Sequence, residues 1–304
     1  MTRRDCFLAA GVAAIWGINF VVSAVILRDL PPFLFTALRF FLVAFPAVFF
    51  VPRPSSGWKP AVGMGICIGC IQFGLMFWAI DLGMPAGLAA LLIQFVTIFT
   101  LILGVVLLKE RPSRIQVIGV LVGLVGLAVI GIGRDGAAQL IPFFMMLVAA
   151  LGWACSNIIV RKSGEQSGLS ISVWSALVPI LPMLIVSFFV DGPRVMGDAL
   201  ATIDVQMVLL FIFASPVASL LGFAIWMNLL KKYPASTVSP WSLWTPPFGM
   251  IAGVIFLGQN PQPIEWVGAA VVLFGILISV GGTARPLRVT NPQSENRAVA
   301  ERGG

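Results

Sequence analysis

The sequence predicts an all-α membrane protein of ten transmembrane helices, arranged as two inverted five-helix repeats. Three observations carry that prediction. The chain is 59% hydrophobic and 10% charged, against about 25% charged residues in a soluble domain. Residues 85–129 align on residues 234–278 without a gap after a shift of 149 positions, with 13 of 45 residues identical, among them Pro85/Pro234, Gly104/Gly253, Pro112/Pro261 and Gly126/Gly275. Two unrelated apolar stretches would agree at about a tenth of positions, so a duplicated unit is the better reading. Lys and Arg, lastly, are concentrated on alternate loops, which sets the expected direction of each span.

The spans follow in order. A membrane helix needs about 20 apolar residues. The first such run covers 7–27, directly behind Thr2-Arg-Arg-Asp. No A-x-A-like site follows a short apolar run, so no cleavable signal peptide is expected. The second run covers 32–51, the third 60–80, and the fourth 86–108, entered through Pro85-Ala86. A turn around Pro112 leads to the fifth, 115–133. The second half repeats the series with 139–160, 171–190, 205–230, 235–257 and 264–282, the last two joined around Pro261. The longest loop, Asp191–Asp204, carries helix-start signals. The expected division is therefore a first repeat over 1–137, a second over 138–282, and a polar tail over 283–304 that is predicted to be disordered.

With the N-terminus inside, the inner segments hold 15 Lys and Arg residues and the outer loops three, Arg28, Arg134 and Arg194. Both termini are expected to be cytoplasmic. Five spans per half is an odd number, so the second repeat starts from the opposite side, as in many secondary transporters. The formal charge of +7 is spread over short loops and ends, which is not a nucleic-acid footprint. A lipid bilayer and a small solute are the expected partners. Gly119-x-x-x-Gly123 and Gly65-x-x-x-Gly69 are close-packing motifs that suit contact within a monomer or a homodimer seam. Cys67-Ile-Gly-Cys70 has a redox or zinc spacing, but inside an apolar helix the residues read as small packing groups.

Several motifs then resemble one family. They are Trp16-Gly-x-Asn19-Phe in the first span, Leu38-Arg39-Phe40 in the second, and Gly83-x-Pro85-Ala86 and Lys109-Glu110-Arg111 around the fourth. Trp153-Ala-x-x-Asn157, Pro234-Ala235 and the Gly268/Gly275 pair match in the second half. The pattern resembles the EamA-type drug/metabolite transporters over about residues 5–282. Within them it is most similar to amino-acid and metabolite exporters of the O-acetylserine/cysteine type. The resemblance implies an inner-membrane carrier with a central cavity that exports small metabolites. One departure is Gly258-Gln259, where the family's second repeat usually has Gly-Glu, so no carboxylate role carries over to that position.

Polar residues within apolar spans are the candidate substrate groups. Arg39 is the one clearly intramembrane charge, seven residues past Pro32 and so about 10 Å deep at about 1.5 Å per residue. It is expected to face the bundle interior, either to attract a substrate carboxylate or to bond carbonyls within the fold. Asn19, Gln72, Gln94 and Asn157 are uncharged groups suited to an ammonium and a carboxylate, or to holding helices together. Trp16, Trp78, Trp153, Trp241 and Trp244 offer apolar walls and cation–π faces in a cavity, or ordinary packing.

The absences narrow the class. There is no histidine, and no Asp or Glu lies in the middle of a span. A membrane-embedded enzyme, the non-transport alternative, would need a nucleophile–base pair or metal ligands, for which the candidates are few without histidine or mid-span carboxylates; no cofactor is implied. Repeated filter sequences of a channel are missing, as is a nucleotide-binding motif. Without a titratable mid-span group, facilitated diffusion or exchange is expected, with Asp81 and Glu265 as the remaining proton sites. A single intramembrane Arg suits a zwitterion or monoanion better than a nucleotide-sugar. A hydrophobic drug is the other substrate class the sequence leaves open.

Overall fold

The structure is a computed structural model that describes residues 1–108, 113–132, 137–165, 167–222, 225, 226, 229, 241 and 244–281. Every regular element among these is helical. The Lys109-Glu110-Arg111 turn with Pro112, Arg134, Lys231, Lys232, the Pro234-Ala235 entry, Pro240 and the tail from 283 lie outside the described residues.

Helix α1 (Arg3–Ile26) starts at Thr2, whose hydroxyl accepts the Asp5 backbone N–H as an N-cap. Helix α2 (Pro32–Ala44) begins on a proline that has no N–H to leave unbonded. It ends before Phe45-Pro46, and a single 3₁₀ turn, Ala47–Phe49, follows. Helix α3 (Trp58–Asp81) is one rod whose middle, Gly65–Phe73, is π-helical. The expected fourth span is split into α4 (Ala86–Leu92) and α5 (Phe95–Leu108). Then come α6 (Arg114–Ile132) and α7 (Ala137–Ser163). The expected seventh span is also split, into α8 (Gly168–Ser175) and α9 (Ile180–Val190). The long loop holds a short helix, α10 (Pro193–Ala201). Helix α11 (Val205–Leu221) turns π-helical over Phe213–Leu221 around Pro216. Helices α12 (Thr245–Leu257) and α13 (Pro263–Gly281) complete the described chain.

Six described stretches are long and apolar enough to cross a bilayer, and α10 with α11, bent at 99°, makes a seventh if counted as one. Val117–Gly126, Thr245–Leu257 and Pro263–Gly275 are apolar but shorter. The expected continuous spans are interrupted for local reasons. At Pro46 and Pro179 the missing N–H and the ring stop the preceding helix. The break before α5 has no proline. There Gln94, Val96 and Thr97 donate their N–H groups to Leu91, Ile93 and Gln94 carbonyls at 3.0–3.1 Å, so the chain tightens into 3₁₀ turns that keep these three donors bonded in the membrane. Helix α12 starts Thr245-Pro-Pro, and two of its first-turn residues therefore have no N–H to satisfy.

Glycines set the closest helix contacts. A Cβ built on Gly126 of α6 would stand 2.6 Å from the Val272 nitrogen and 3.0 Å from the Gly268 carbonyl oxygen of α13. One built on Gly275 would run into the Gly123 nitrogen and lie 2.7 Å from the Gly119 carbonyl oxygen. The second set of partners is the first moved by 149 positions, with the helices exchanged. Gly17 of α1 meets α12 at the Gly249 nitrogen, and Gly152 of α7 meets the Cys67 carbonyl of α3, each 2.8 Å from a Cβ at the glycine. Between these contacts the core is filled by Phe35, Phe77, Phe95, Leu91 and Met146, all fully buried.

Candidate functional site

Arg39 is the centre of the site. Helix α2 carries it into the bundle, where it is 3% exposed. Its Nη1 donates to Asn19 Oδ1 of α1 at 3.3 Å, and its Nη2 donates to Ser219 Oγ of α11 at 3.1 Å. The guanidinium lies over the Phe73 ring of α3, 4.8 Å from the centroid, and 5.8 Å from that of Phe77. Phe73 and Phe77 are four residues apart and so share a helix face. Ser219 sits in the π-helical segment and donates its own hydroxyl to the Ala214 carbonyl five residues back, at 3.4 Å. Its lone pairs are thereby turned to the arginine. No carboxylate among the described residues reaches the guanidinium, and both its acceptors are neutral.

Trp16 docks beside this group. Its indole N–H donates to the Ala218 carbonyl at 3.0 Å, one residue from Ser219. Its ring lies 5.3 Å from Trp226. A side chain on Gly222 would press on the same indole, 2.8 Å from Nε1. Trp16, Asn19 and Arg39 are therefore brought together against α11.

The other candidates are placed elsewhere. Asn157 Nδ2 donates to Thr100 Oγ1 of α5 at 3.1 Å. Asn19, which Asn19-Phe-Val-Val sets opposite Asn157-Ile-Ile-Val, has no such side chain to use, because Thr100 corresponds to Gly249; it accepts from Arg39 instead. Gln72 is buried in the π segment next to Phe73. Gln94 is buried at the break between α4 and α5. Trp78 packs on Phe33 at 5.4 Å, and Trp153 is half-buried against the main core. Trp241 joins a cluster with Ala9, Leu229 and Trp226, whereas Trp244 is 54% exposed and packs on Phe248. Sequence reasoning missed Ser219, Phe73 and Phe77. The Phe73/Phe77 spacing was the available signal; Ser219 had none beyond being polar in an apolar run.

The two ends of α3 differ. At the Trp58 end, Glu165 accepts the Ser56 N–H at 2.8 Å, the Ser167 N–H at 3.0 Å and the Ser55 hydroxyl at 3.0 Å. The backbone N–H groups of Ser56 and Ser167 hold its carboxyl down to about 2. Trp174 of α8 donates its indole N–H to the Val51 and Pro52 carbonyls at 3.2 and 3.0 Å and meets Trp58 edge-on at 5.3 Å. The loop before α3 is thus stapled to the loop before α8. At the Asp81 end a cavity of about 440 Å³ opens between α1, α3, the turn into α4 and the end of α12.

The EamA-like transporter family model matches the chain twice, over residues 4–132 and 140–281. The chain belongs to the EamA-like transporter family. It is 40% identical over 288 residues to a probable amino-acid metabolite efflux pump of Salmonella typhimurium, covering 93% of this chain and 96% of that one. A protein of the same description from Escherichia coli is 38% identical over 289 residues, with the same coverage. A probable terminal-alkyne amino-acid exporter of Streptantibioticus cattleyicolor is 24% identical over 75% of each chain. A solved crystal structure shares the fold, with a TM-score of 0.62 at 16% identity over 96% of this chain and 100% of that one. This EamA-like transporter is accordingly a multi-pass membrane protein of a transporter family.

Proposed function

We propose that this EamA-like transporter exports amino acids or related small metabolites across the bacterial inner membrane by alternating access. Arg39 receives the substrate carboxylate. The carrying observation is a guanidinium buried in the bundle with Asn19 Oδ1 and Ser219 Oγ as its acceptors. A buried charge without a counter-ion is costly and marks a functional site in a membrane protein. Arg has five N–H donors, so donors remain for a ligand that brings a negative charge. Four residues before Ser219, the Ser215 hydroxyl is buried with no partner, another group a polar solute satisfies. Phe73 and Phe77 supply an apolar wall. The printed descriptions of the relatives point to the same substrate class.

In this reading the chain has ten spans in two inverted repeats, 1–137 and 138–282, with both termini cytoplasmic. The family model's two matches support the division, as do the exchanged Gly126 and Gly275 contacts. The π segments of α3 and α11 start at 65 and 213, and helices α5 and α12 start at 95 and 245, within a residue of the repeat shift. The staple at Glu165 lies on the inner side and the cavity at Asp81 on the outer, so this state is closed inward and open outward. Transport is by facilitated diffusion or exchange, because no carboxylate or histidine lies mid-span.

Counterflow in liposomes containing the purified protein tests the reading, using labelled amino acids with and without an imposed proton gradient. Saturable exchange that ignores the gradient is expected. Gradient-driven accumulation would overturn the uncoupled mechanism and turn attention to Asp81 and Glu265. Failure to exchange any amino acid would overturn the substrate class in favour of a drug or nucleotide-sugar.

A further inference from the structure

The cavity at the Asp81 end is not part of the Arg39 group, and its wall has a chemistry of its own. Arg28 at the end of α1 and Asp81 at the end of α3 both line it, with Gln259 facing them from the second half. Ala24, Leu27, Ile80, Met84, Pro85 and Leu257 form the apolar part of the lining. It is an open recess of about 440 Å³, large enough to admit a small solute but less enclosed than most small-molecule sites.

Local backbone geometry builds this wall. Gly83 has φ +96°, a conformation that glycine adopts without strain. It lets α3 end and α4 begin within four residues, which puts Asp81 and Pro85 on one cavity. Gly258 has φ +63° and ends α12. The Gln259 N–H then returns to the Gly253 carbonyl at 3.1 Å. The Gln259 amide lies so close over Gly253 that a Cβ there would be 2.5 Å from Oε1. Glycine at 253 is thus what allows the amide to sit at the cavity edge.

We propose that this cavity is a second binding site, for a free zwitterion, in which Arg28 takes the carboxylate, Asp81 the ammonium, and the Gln259 amide bonds either. The proposal rests on the reading of the chain as an amino-acid exporter and adds a release station on the outer side. Opposite charges share one wall, yet the two side chains form no ion pair with each other or with any other described residue. A ligand with both charges satisfies both groups at once, which a simple cation or anion does not. Gln259 is neutral, so the cavity lining itself carries one charge of each sign; Asp191 stands close enough to repel the Asp81 carboxylate, and this added negative charge favours the ammonium at Asp81. Because the site spans both halves, a rocking motion that closes the outer end removes it, which suits release.

Ligand NMR on the purified full-length protein tests this with L-leucine, isoamylamine, which lacks the carboxylate, and isocaproate, which lacks the ammonium. Arg39→Gln is expected to leave a weak binding of L-leucine that Arg28→Gln or Asp81→Asn weakens further. Charge pairs in contact with water contribute little each, so about a fivefold rise in apparent Kd is expected per variant. Arg28→Gln should weaken isocaproate and not isoamylamine, and Asp81→Asn the reverse. Binding that Arg39→Gln abolishes, with neither variant having an effect, overturns the second site and leaves the exporter reading standing. Equal weakening of all three probes by both variants also overturns it, since that is a change of fold and not of charge recognition. Binding lost with Arg28→Gln or Asp81→Asn and untouched by Arg39→Gln supports the second site while removing Arg39 from recognition. No binding of L-leucine to any form overturns both.

Discussion

Arg39 is held by one residue from each half of the chain, Asn19 from α1 and Ser219 from α11. Removing its charge leaves those partners in place and takes away the proposed carboxylate receptor. Hydrogen bonds to a charged group contribute about 1.5–3 kcal/mol. Arg39→Gln is therefore expected to lower the amino-acid exchange rate by about tenfold or more, read by counterflow. Asn19→Asp is the sharper variant. It places a carboxylate 3.3 Å from Nη1 and fills the receptor from within. Thermal unfolding in detergent should show this variant as stable as the parent or more so, while counterflow is lost. Retained transport in a stable Asn19→Asp protein would show that the substrate carboxylate does not bind here. Arg39 and Asn19 were legible in the sequence because a charge and an amide stand out in apolar spans. Ser219 was not, because which of several serines meets the guanidinium depends on how α11 packs. The tryptophans were ambiguous for a related reason. An indole buries its body anywhere, and only the fold decides that the Trp16 N–H reaches the Ala218 carbonyl.

At the scale of elements, the paired helices α6 and α13 depend on glycine. Gly126→Leu and Gly275→Leu each force a side chain into the backbone of the facing helix. Overpacking of this kind costs about 1–3 kcal/mol. The two variants are expected to lower the unfolding midpoint by similar amounts, because their surroundings are related by the repeat; a large difference would argue against that relation. The Glu165 staple carries a pH signature. Its carboxyl titrates at about 2 in the fold, below the ordinary value of 4.5. The unfolded chain therefore binds the proton more readily, so the staple's contribution is complete above about 4.5 and is lost as pH falls through about 2. The difference in thermal stability between the parent and Glu165→Gln should be constant above that window and narrow across it. Those span ends that fall on described residues were readable within a few residues, since apolar runs end at charges and prolines. The break at Gln94 was not, for it has no proline or glycine and is stabilised by three tight turns inside the bundle. The π segment of α3 was equally hidden, because nothing in Gly65–Phe73 forbids an α-helix.

At the scale of the molecule, two related halves meet along α6 and α13, with α1 lying on α12 and α7 on α5. The Trp58 end of α3 is tied by Glu165 and Trp174, and the Asp81 end holds a cavity. Alternating access requires the tie to break in each cycle. With Cys6, Cys67, Cys70 and Cys155, all free thiols, first replaced, a disulfide between Ser55→Cys and Glu165→Cys should stop exchange under oxidation and release it on reduction. Exchange that continues under oxidation would mean that this end does not open. The duplication was plain in the sequence as a 149-residue shift over 85–129, whereas the asymmetry of the candidate site followed from Gly249 opposite Thr100 and, at the 139-residue offset that sets Thr36-Ala-Leu on Ser175-Ala-Leu, Val178 opposite Arg39. The most direct measurement of carboxylate recognition at Arg39 is counterflow of labelled L-leucine driven by unlabelled L-leucine, isocaproate or isoamylamine. The expected result is uptake with the two carboxylates, none with the amine, and uptake slowed by about tenfold or more in Arg39→Gln. Equal drive by the amine, or normal uptake in Arg39→Gln, would contradict it.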